Sequence, residues 1–387
     1  MAAQPDDFSE LITQKDSFRI QVIYTQIDRD SKQRPRFTDH YFNVDTSIYF
    51  YPASTVKMPI AFLALEQLEK LRKQGIPVSR NSTMITEKAA PPQTVVYNDP
   101  TTPDGRPTVA HYAKKIFVVS DNDASNRLYE MLGQENIHQQ LAAKGYKGAQ
   151  ILHRLSLPLS DADNRHTNPI SFFDSSGNVI YRQPAQISKL QYISRKDSVG
   201  KGYMSRGALV NTPMDFSTKN RIFLSDLHNM LRNFVFPEAA QASRRFDVSP
   251  EDRRFALQML SQLPRETVYP DYNDPEHYDG YVKFLMFGHQ KQAQIPSHIR
   301  IFNKVGWAYG FLTDVAYVVD FKNNIEFMLS ATIYCNKDEV LNDDRYEFET
   351  VGLPFLGKLG QAIYEMELKR TRKNKPDLSA FQLSYDR

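Results

Sequence analysis

The sequence has a single cysteine and a nearly balanced charge, and both features exclude classes of protein. Cys335 has no second cysteine to pair with, so an internal disulfide and a cysteine-based metal cluster are excluded in this 387-residue chain. Its Val-, Ile- and Tyr-rich surroundings predict a small apolar residue in a buried strand. Lysine and arginine number 48 against 45 aspartates and glutamates, whereas nucleic-acid binders usually carry a strong basic excess. We therefore expect no nucleic-acid partner.

Long apolar runs are also missing. The longest run near residue 54 is far shorter than the ~20 residues that span a bilayer, so no transmembrane segment is expected. The first residues, MAAQPDDFSELITQ, contain neither the basic region nor the apolar region of an export signal. This start fits a cytosolic protein, or an exported one whose leader was replaced by a methionine. No cluster with metal-ligand spacing occurs, no cofactor is implied, and no feature of the sequence determines an oligomeric state.

The apolar pattern places strands near both chain ends and helices between them. With 41% hydrophobic residues, the chain can bury a core in one large or two interlocked domains. Alternating, β-branched segments predict five strands, at 18–27, 40–50, 299–309, 312–320 and 325–334. The fold class is therefore α+β: a five-stranded antiparallel sheet from both chain ends, with flanking helices and an inserted all-α subdomain.

The predicted domain boundaries follow from this pattern. The sheet subdomain comprises residues 15–53 and 296–372. The mostly helical subdomain comprises residues 54–265 and includes a long, partly ordered loop at about 151–220, where periodic apolar positions are few. Residues 266–295 form a loop-rich, aromatic and acidic insertion, and residues 373–387 form a polar, frayed tail.

Ser54 and Lys57 stand three residues apart at the start of a Leu-rich helical segment. Side chains at this spacing lie on one helix face, so Lys57 can sit beside the Ser54 hydroxyl. Serine is a weak nucleophile until a base takes its proton, and a lysine that is kept neutral can be that base. The pair is a weak signal by itself, because about one chance Ser-x-x-Lys is expected in a chain of this length. A second copy, Ser198–Lys201, contains a glycine, precedes no apolar helix and is interpreted as loop.

Two further triplets strengthen the assignment of Ser54. Ser120-Asp121-Asn122 stands at a predicted helix-to-helix corner, and Lys304-Val305-Gly306 stands on the first C-terminal strand. In order and spacing, the three motifs resemble the Ser-x-x-Lys, Ser-Asp-Asn and Lys-Thr-Gly set of class A β-lactamases and penicillin-binding (DD-peptidase) serine hydrolases. The resemblance covers roughly residues 15–160 and 205–370, and it implies a β-lactamase/transpeptidase-like fold.

The resemblance also implies a role for each motif residue. Ser54 would attack a carbonyl carbon, and Lys57 would accept its proton with a pKa lowered by burial and by Lys304. Ser120, with Lys304 beside it, would relay that proton to the leaving nitrogen. Asn122 would orient the substrate amide and help to hold Lys57. The backbone N–H groups of Ser54 and of Trp307, which follows Gly306, would form the oxyanion hole, and Asp121 would brace the corner as a buried acceptor.

The sequence departs from the family at two positions. Class A β-lactamases use a loop glutamate that follows an Arg-Leu pair, but no glutamate occurs between Glu135 and Glu238. After Arg154-Leu155 we place the equivalent position near Leu159, and substitute bases would have to come from the nearby ionisable residues His153, Asp161, Asp163 and His166. Val305 replaces the usual Thr or Ser, whose hydroxyl commonly binds the substrate carboxylate.

These features predict a serine acyl-transfer hydrolase that forms an acyl-enzyme on Ser54 with a cell-wall peptide or a related amide. One alternative is a class A-type β-lactamase that hydrolyses β-lactam antibiotics with an atypical deacylating base. Another is a non-catalytic relative that binds peptidoglycan. Since the substrates of the family lie outside the cytoplasm, the resemblance implies a periplasmic or secreted protein.

Overall fold

The protein is described by a computed structural model of residues 5–387. The chain forms two compact units, each assembled from separated stretches. The first unit comprises the residues up to Thr55, Ile193–Ala239 and Tyr278–Leu383. The second comprises Val56–Tyr192, Ala240–His277 and Ser384–Arg387.

The first unit is organised around a five-stranded antiparallel sheet, which confirms the predicted fold class. Its strands follow in the order Ile299–Ala308, Phe311–Asp320, Ile325–Tyr334, Gln21–Arg29 and Pro35–Phe42. Two strands come from the N-terminal part of the chain and three from the C-terminal part. The strand that carries the Lys-Val-Gly triplet is therefore an edge strand.

Helices cover this sheet. Every residue of the strands Phe311–Asp320 and Ile325–Tyr334 is buried, which explains their almost continuous apolar sequence. The helix Leu224–Val235 packs on both strands, and the helix Leu353–Lys369 packs on the second. Cys335, which follows that strand, is completely buried, as expected for a small core residue.

Shorter elements complete the first unit. Its remaining helices are Pro5–Thr13, Phe284–Phe287, the π-helix Phe348–Gly352 and the 3₁₀ helix Ser379–Phe381. Its remaining strands are Ser198–Val199, Gly202–Ser205, Ala208–Val210, Met214–Asp215 and Val340–Leu341.

The second unit is built mainly from helices. They are Lys57–Lys73, Val109–Val119, Asn122–Leu132, Gln134–Ala143, Asp161–Arg165 and Pro250–Ser261, with 3₁₀ helices at Ala242–Arg244 and Pro264–Glu266. Capping hydrogen bonds define the starts of two of these helices: the side chain of Thr108 accepts from His111 N, and that of Ser249 accepts from Asp252 N. Among the described residues, no helix combines the length and the apolar character needed to cross a membrane.

The predicted inserted subdomain is mostly rather than entirely helical, because the second unit also contains short strands. Thr83–Thr86, Ile170–Phe173 and Val179–Gln183 form a three-stranded sheet, and His166–Thr167 pairs with Gln186–Ile187. Part of the predicted loop at 151–220 is therefore paired in short strands. Its strands are two to five residues long, too short to show a periodic apolar pattern.

The observed units also differ from the predicted boundaries. Residues 193–239 belong to the first unit, because the helix Leu224–Val235 packs on the sheet. The predicted insertion at 266–295 is divided between the units at residue 278. The predicted frayed tail is partly docked: Phe381 is 5% exposed, with its ring centroid 5.0 Å from that of Tyr317.

Candidate active site

Ser54 lies in a short 3₁₀ helix, Ala53–Val56, immediately before the helix Lys57–Lys73. The turn is held by Thr55, whose backbone N and side-chain Oγ1 donate to Pro52 O at 3.0 Å and 2.7 Å. Ala53 adopts a left-handed conformation with φ of 45°. Thr55 is buried, whereas Ser54 is half-buried, so the turn presents the serine.

Gly306 brings the edge strand against this turn. A Cβ atom at Gly306 would lie 2.4 Å from Pro52 O and 3.3 Å from Thr55 N, so only glycine permits the approach. Lys304 lies two residues earlier and therefore points to the same face of the strand. Lys304 is 2% exposed, and its Nζ donates to Val305 O at 2.9 Å.

The backbone of Trp307 points to the open edge of the sheet. Tyr309 and Gly310 form the two-residue turn after this strand, with φ of 53° and 79°. Gly310 O accepts from Cys335 N at 2.6 Å, on the side of the strand that faces Ile325–Tyr334. Successive residues of a strand direct their backbone groups to opposite sides, so the N–H and C=O of Phe311 point towards its partner Ala308. By the alternation of an antiparallel ladder, the N–H and C=O of Trp307 point outward. This orientation beside the Ser54 turn suits an oxyanion-hole donor.

Lys57 lies in the second unit, where it is completely buried. Its Nζ donates to Asn122 Oδ1 at 2.7 Å and to Ser120 O, and it lies 3.3 Å from Ser120 Oγ. Burial lowers the pKa of Lys57 from 10.5 to about 7, and the nearby carboxylate of Asp121 opposes the shift. Burial is thus the cause of the lowered pKa, whereas the sequence prediction had also invoked Lys304.

The Ser-Asp-Asn corner joins two helices and turns its polar groups towards Lys57. Ser120 ends the helix Val109–Val119 in a left-handed conformation with φ of 61°. Asp121 caps the next helix by accepting from Ala124 N at 2.7 Å. Asp121 therefore braces the corner as predicted, although it is half-buried rather than buried.

Ser156 is a neighbour of the site that sequence analysis missed. The Nδ2 of Asn122 donates to Ser156 Oγ at 2.9 Å, while its Oδ1 accepts from Lys57. Asn126 fixes the loop there, because its side chain bonds both Leu155 N at 2.8 Å and Leu155 O at 3.0 Å. The loop residue that reaches Asn122 is thus Ser156, which lies three residues before Leu159. The sequence feature that could have indicated Ser156 is the Arg154-Leu155 pair, which Ser156 follows directly.

A buried ion pair anchors the same loop. Arg154 is 3% exposed and donates to the carboxylate of Glu130, which is also buried. Asn164 Oδ1 accepts from Arg154 N at 2.9 Å. These contacts fix the backbone that carries Ser156.

The proposed substitute bases make structural contacts of their own. Asp161 pairs with Arg165 at 2.9 Å, and Asp163 accepts from the Ser160 hydroxyl at 2.6 Å in a capping box. His153 Nδ1 lies 2.8 Å from Arg154 O, and for His166 the contact is made by the backbone, whose carbonyl accepts from Arg154.

The antiparallel sheet, the helix that begins after the Ser54 turn and the buried lysine are features that the resemblance to serine β-lactamases implies. Comparison with family models agrees: residues 6–190, just under half of the chain, match the model of the beta-lactamase enzyme family. This match confirms the predicted resemblance to the superfamily of serine β-lactamases and penicillin-binding proteins.

Solved β-lactamase structures resemble this chain remotely. A β-lactamase from Sphaerobacter thermophilus is 13% identical with a TM-score of 0.49, covering 94% of this chain and 97% of its own. A β-lactamase from Burkholderia ambifaria is 10% identical with a TM-score of 0.49, and the match covers 94% of this chain and 98% of that one. A β-lactamase from Xanthomonas campestris is 13% identical with a TM-score of 0.48, and the match covers 92% of this chain and 96% of that one. A search of curated proteins returned no match.

Proposed function

We propose that the protein is a serine acyl-transfer hydrolase that forms an acyl-enzyme on Ser54 with a cell-wall peptide or a related amide. The observation that carries the proposal is the complete burial of Lys57. A lysine with a pKa of about 7 is neutral in a large fraction of molecules at neutral pH. Lys57 is the third residue after Ser54, and its Nζ is held by Ser120 and Asn122.

In the proposed reaction, Ser54 Oγ attacks the substrate carbonyl carbon and its proton passes to Lys57. The backbone N–H groups of Ser54 and Trp307 stabilise the resulting oxyanion, and each such donor is worth roughly 3 kcal/mol in the transition state. The bond from carbon to the leaving nitrogen then breaks. The proton reaches that nitrogen through Ser120, with the charge of Lys304 stabilising the relay, while Asn122 orients the substrate amide.

The release of the acyl group distinguishes a peptidase from an efficient β-lactamase. The loop residue that contacts Asn122 is Ser156, and a serine hydroxyl is not a base that activates water at neutral pH. A β-lactam acyl-enzyme should therefore be long-lived. We accordingly favour a penicillin-binding or peptidase activity over the alternative of a β-lactamase with an atypical base. Because peptidoglycan lies outside the cytoplasm, we place the enzyme in the periplasm or among secreted proteins.

The test is to incubate the protein with a reporter penicillin and to follow intact mass and antibiotic loss together. A lasting adduct on Ser54, absent from Ser54→Ala, supports the proposal. Rapid antibiotic loss without a lasting adduct supports the β-lactamase alternative. If the wild-type protein gives neither an adduct nor hydrolysis of activated esters, yet binds peptidoglycan fragments, the non-catalytic alternative replaces both.

A further inference from the structure

Lys115 contacts the Ser-Asp-Asn corner with both its backbone and its side chain. Its carbonyl oxygen accepts from Ser120 N and, at 3.1 Å, from Asp121 N. Its Nζ lies 3.9 Å from Asp121 Oδ2 and 3.4 Å from Asp99 Oδ2. The side chains of Asp99, Lys115 and Asp121 are 8%, 13% and 27% exposed, so water screens this row of three charges only in part.

The Asp121 end of this row acts on Lys57. The residues on either side of Asp121 hold the Lys57 amino group, whose Nζ donates to Ser120 O and, at 2.7 Å, to Asn122 Oδ1. Burial lowers the pKa of Lys57 to about 7, and the Asp121 carboxylate opposes that shift. The positive charge of Lys115 weakens the opposition, because the fields of the two opposite charges partly cancel at Lys57.

Asp99 limits how far Lys115 can neutralise Asp121. Its Oδ1 accepts from Thr101 Oγ1 at 2.5 Å and from Thr101 N at 3.0 Å, while its Oδ2 accepts from Lys115. Burial raises the pKa of Asp99, but the hydrogen bonds from Thr101 and the charge of Lys115 outweigh burial and hold that pKa below its usual value. Lys115 is therefore shared between two carboxylates and lies closer to the more buried one.

His111 and Tyr272 interact with the same row and keep their charge state between pH 5 and pH 9. Burial lowers the pKa of His111 to about 4, although the carboxylate of Asp99, 3.5 Å from its Nε2, opposes the shift. Burial, together with the charges of Asp121 and Asp99, raises the pKa of Tyr272 well above its usual value. Between these limits, a change of protonation beside the corner is a change at Lys57. On the helix that Asp121 caps, a neighbouring charge is held in its own ion pair, Asp123 with Arg127 at 3.0 Å.

We infer that Lys115 is a positioning residue that acts on the reaction through Asp121, because it holds that carboxylate and limits how strongly the carboxylate favours the protonated form of Lys57. The inference rests on the proposed function, in which neutral Lys57 accepts the proton of Ser54. It adds a residue that lies outside the three sequence motifs. In that mechanism Lys115 touches neither the substrate nor the reacting atoms, so its effect is on the proton equilibrium of Lys57.

The test is the midpoint of the acylation rate against pH, measured with excess reporter penicillin. Lys115→Met removes the charge but keeps the carbonyl that binds the corner, so the midpoint should rise by roughly half to one pH unit. The rate at pH 6, relative to its plateau at high pH, should then be about three- to tenfold lower than in the wild type. Asp121→Asn should lower the midpoint instead, and asparagine caps a helix about as well as aspartate does.

Two control variants separate the charge of Lys115 from its packing. Lys115→Arg keeps the charge and should keep the wild-type midpoint. Lys114→Met should also keep it, because Lys114 lies on the same helix, is 12% exposed and pairs instead with Asp386. A purely structural role would lower the rate or the stability of Lys115→Met without raising its midpoint, and that result overturns the inference. If Lys115→Met does not fold, Asp99→Asn decides: the midpoint should fall because Lys115 is no longer shared, and an unchanged or raised midpoint overturns the inference.

The protonation of Lys57 can also be followed without any reaction. In protein labelled with ¹³C at the lysine Cε atoms, the NMR signal that is missing from Lys57→Met reports on this residue alone. Its midpoint should move among the variants as the acylation midpoint does. If the wild type forms no adduct but this signal moves upward in Lys115→Met, the proposed function fails and the effect of Lys115 on Lys57 stands. If adducts form but neither midpoint moves in Lys115→Met, the inference fails and the proposed function stands.

Discussion

The rate at which Ser54 is acylated should follow the protonation of Lys57. Burial lowers the pKa of Lys57 to about 7, so about half of its amino groups are neutral at pH 7 and about one in a hundred at pH 5. Acylation should therefore rise by about 50-fold between pH 5 and pH 7 and level off above pH 8. A lysine with its ordinary pKa of 10.5 would be neutral in only about one molecule in 3,000 at pH 7, and the rate would still rise tenfold per unit at pH 9.

The assay is the rate of adduct formation with excess reporter penicillin, measured from pH 5 to pH 9 at constant ionic strength. Lys57→Met should lose the reaction and its pH dependence. Burial also raises the pKa of Asp314 to about 6, while the charges of Lys283 and Lys304 oppose the shift. The titration of this carboxyl would add a second step, near pH 6, to the pH profile of the acylation rate. Asp314→Asn removes that titration and should leave the step near pH 7 that is due to Lys57. A rate that still climbs tenfold per unit above pH 8, or a similar limb in Lys57→Met, would refute the reasoning.

The same shift has a consequence for stability. Between pH 7 and pH 10.5 the unfolded chain binds a proton on Lys57 that the folded chain has released, so stability should rise with pH across this window. Below pH 7 the buried, charged Lys57 lowers the free energy of unfolding by at most about 5 kcal/mol. Lys57→Met removes this cost but leaves Asn122 Oδ1 and Ser120 O without their donor, at about 1–3 kcal/mol each. In urea unfolding at pH 7, the free energy of unfolding of Lys57→Met should therefore lie within about 3 kcal/mol of the wild-type value. It should also depend less on pH than that of the wild type.

Three further substitutions test the surroundings of the site. Ser156→Glu places a carboxylate beside Asn122, so the lifetime of a penicilloyl adduct should fall at least about tenfold by intact mass, and an unchanged lifetime would contradict the assigned position. Gly306→Ala puts a Cβ 2.4 Å from Pro52 O and should cost about 1–3 kcal/mol in urea unfolding and slow acylation; a fully active, equally stable variant would argue against the close approach. Arg154→Met removes a charged donor from the buried carboxylate of Glu130, which keeps a hydrogen bond from Asn168 and the nearby charge of Arg127, and should cost about 1.5–3 kcal/mol, whereas a loss below about 1 kcal/mol would show that the pair does not anchor the loop.

Local patterns accounted for the parts of the fold that depend on neighbours in the chain. The strand around Val315 carries a largely apolar sequence, and Thr108 and Ser249 cap their helices as their residue types predict. The paired segments between 151 and 220 were missed for the opposite reason. Their strands are short, and each depends on partners elsewhere in the chain, such as the pairing of Thr83 with Phe173.

The order of the chemical parts is evident from the sequence alone: Ser54 and Lys57 at a helix start, Ser120 and Asn122 at a corner, and Lys304 on a strand. The spacing of residue types along a chain is sufficient to predict those local settings. How each part behaves depends on the tertiary structure, because the surroundings of a polar side chain are supplied by residues that are distant in the chain. Packing around Lys57 sets its pKa, and a loop anchored far from Asn122 in sequence brings Ser156 to it.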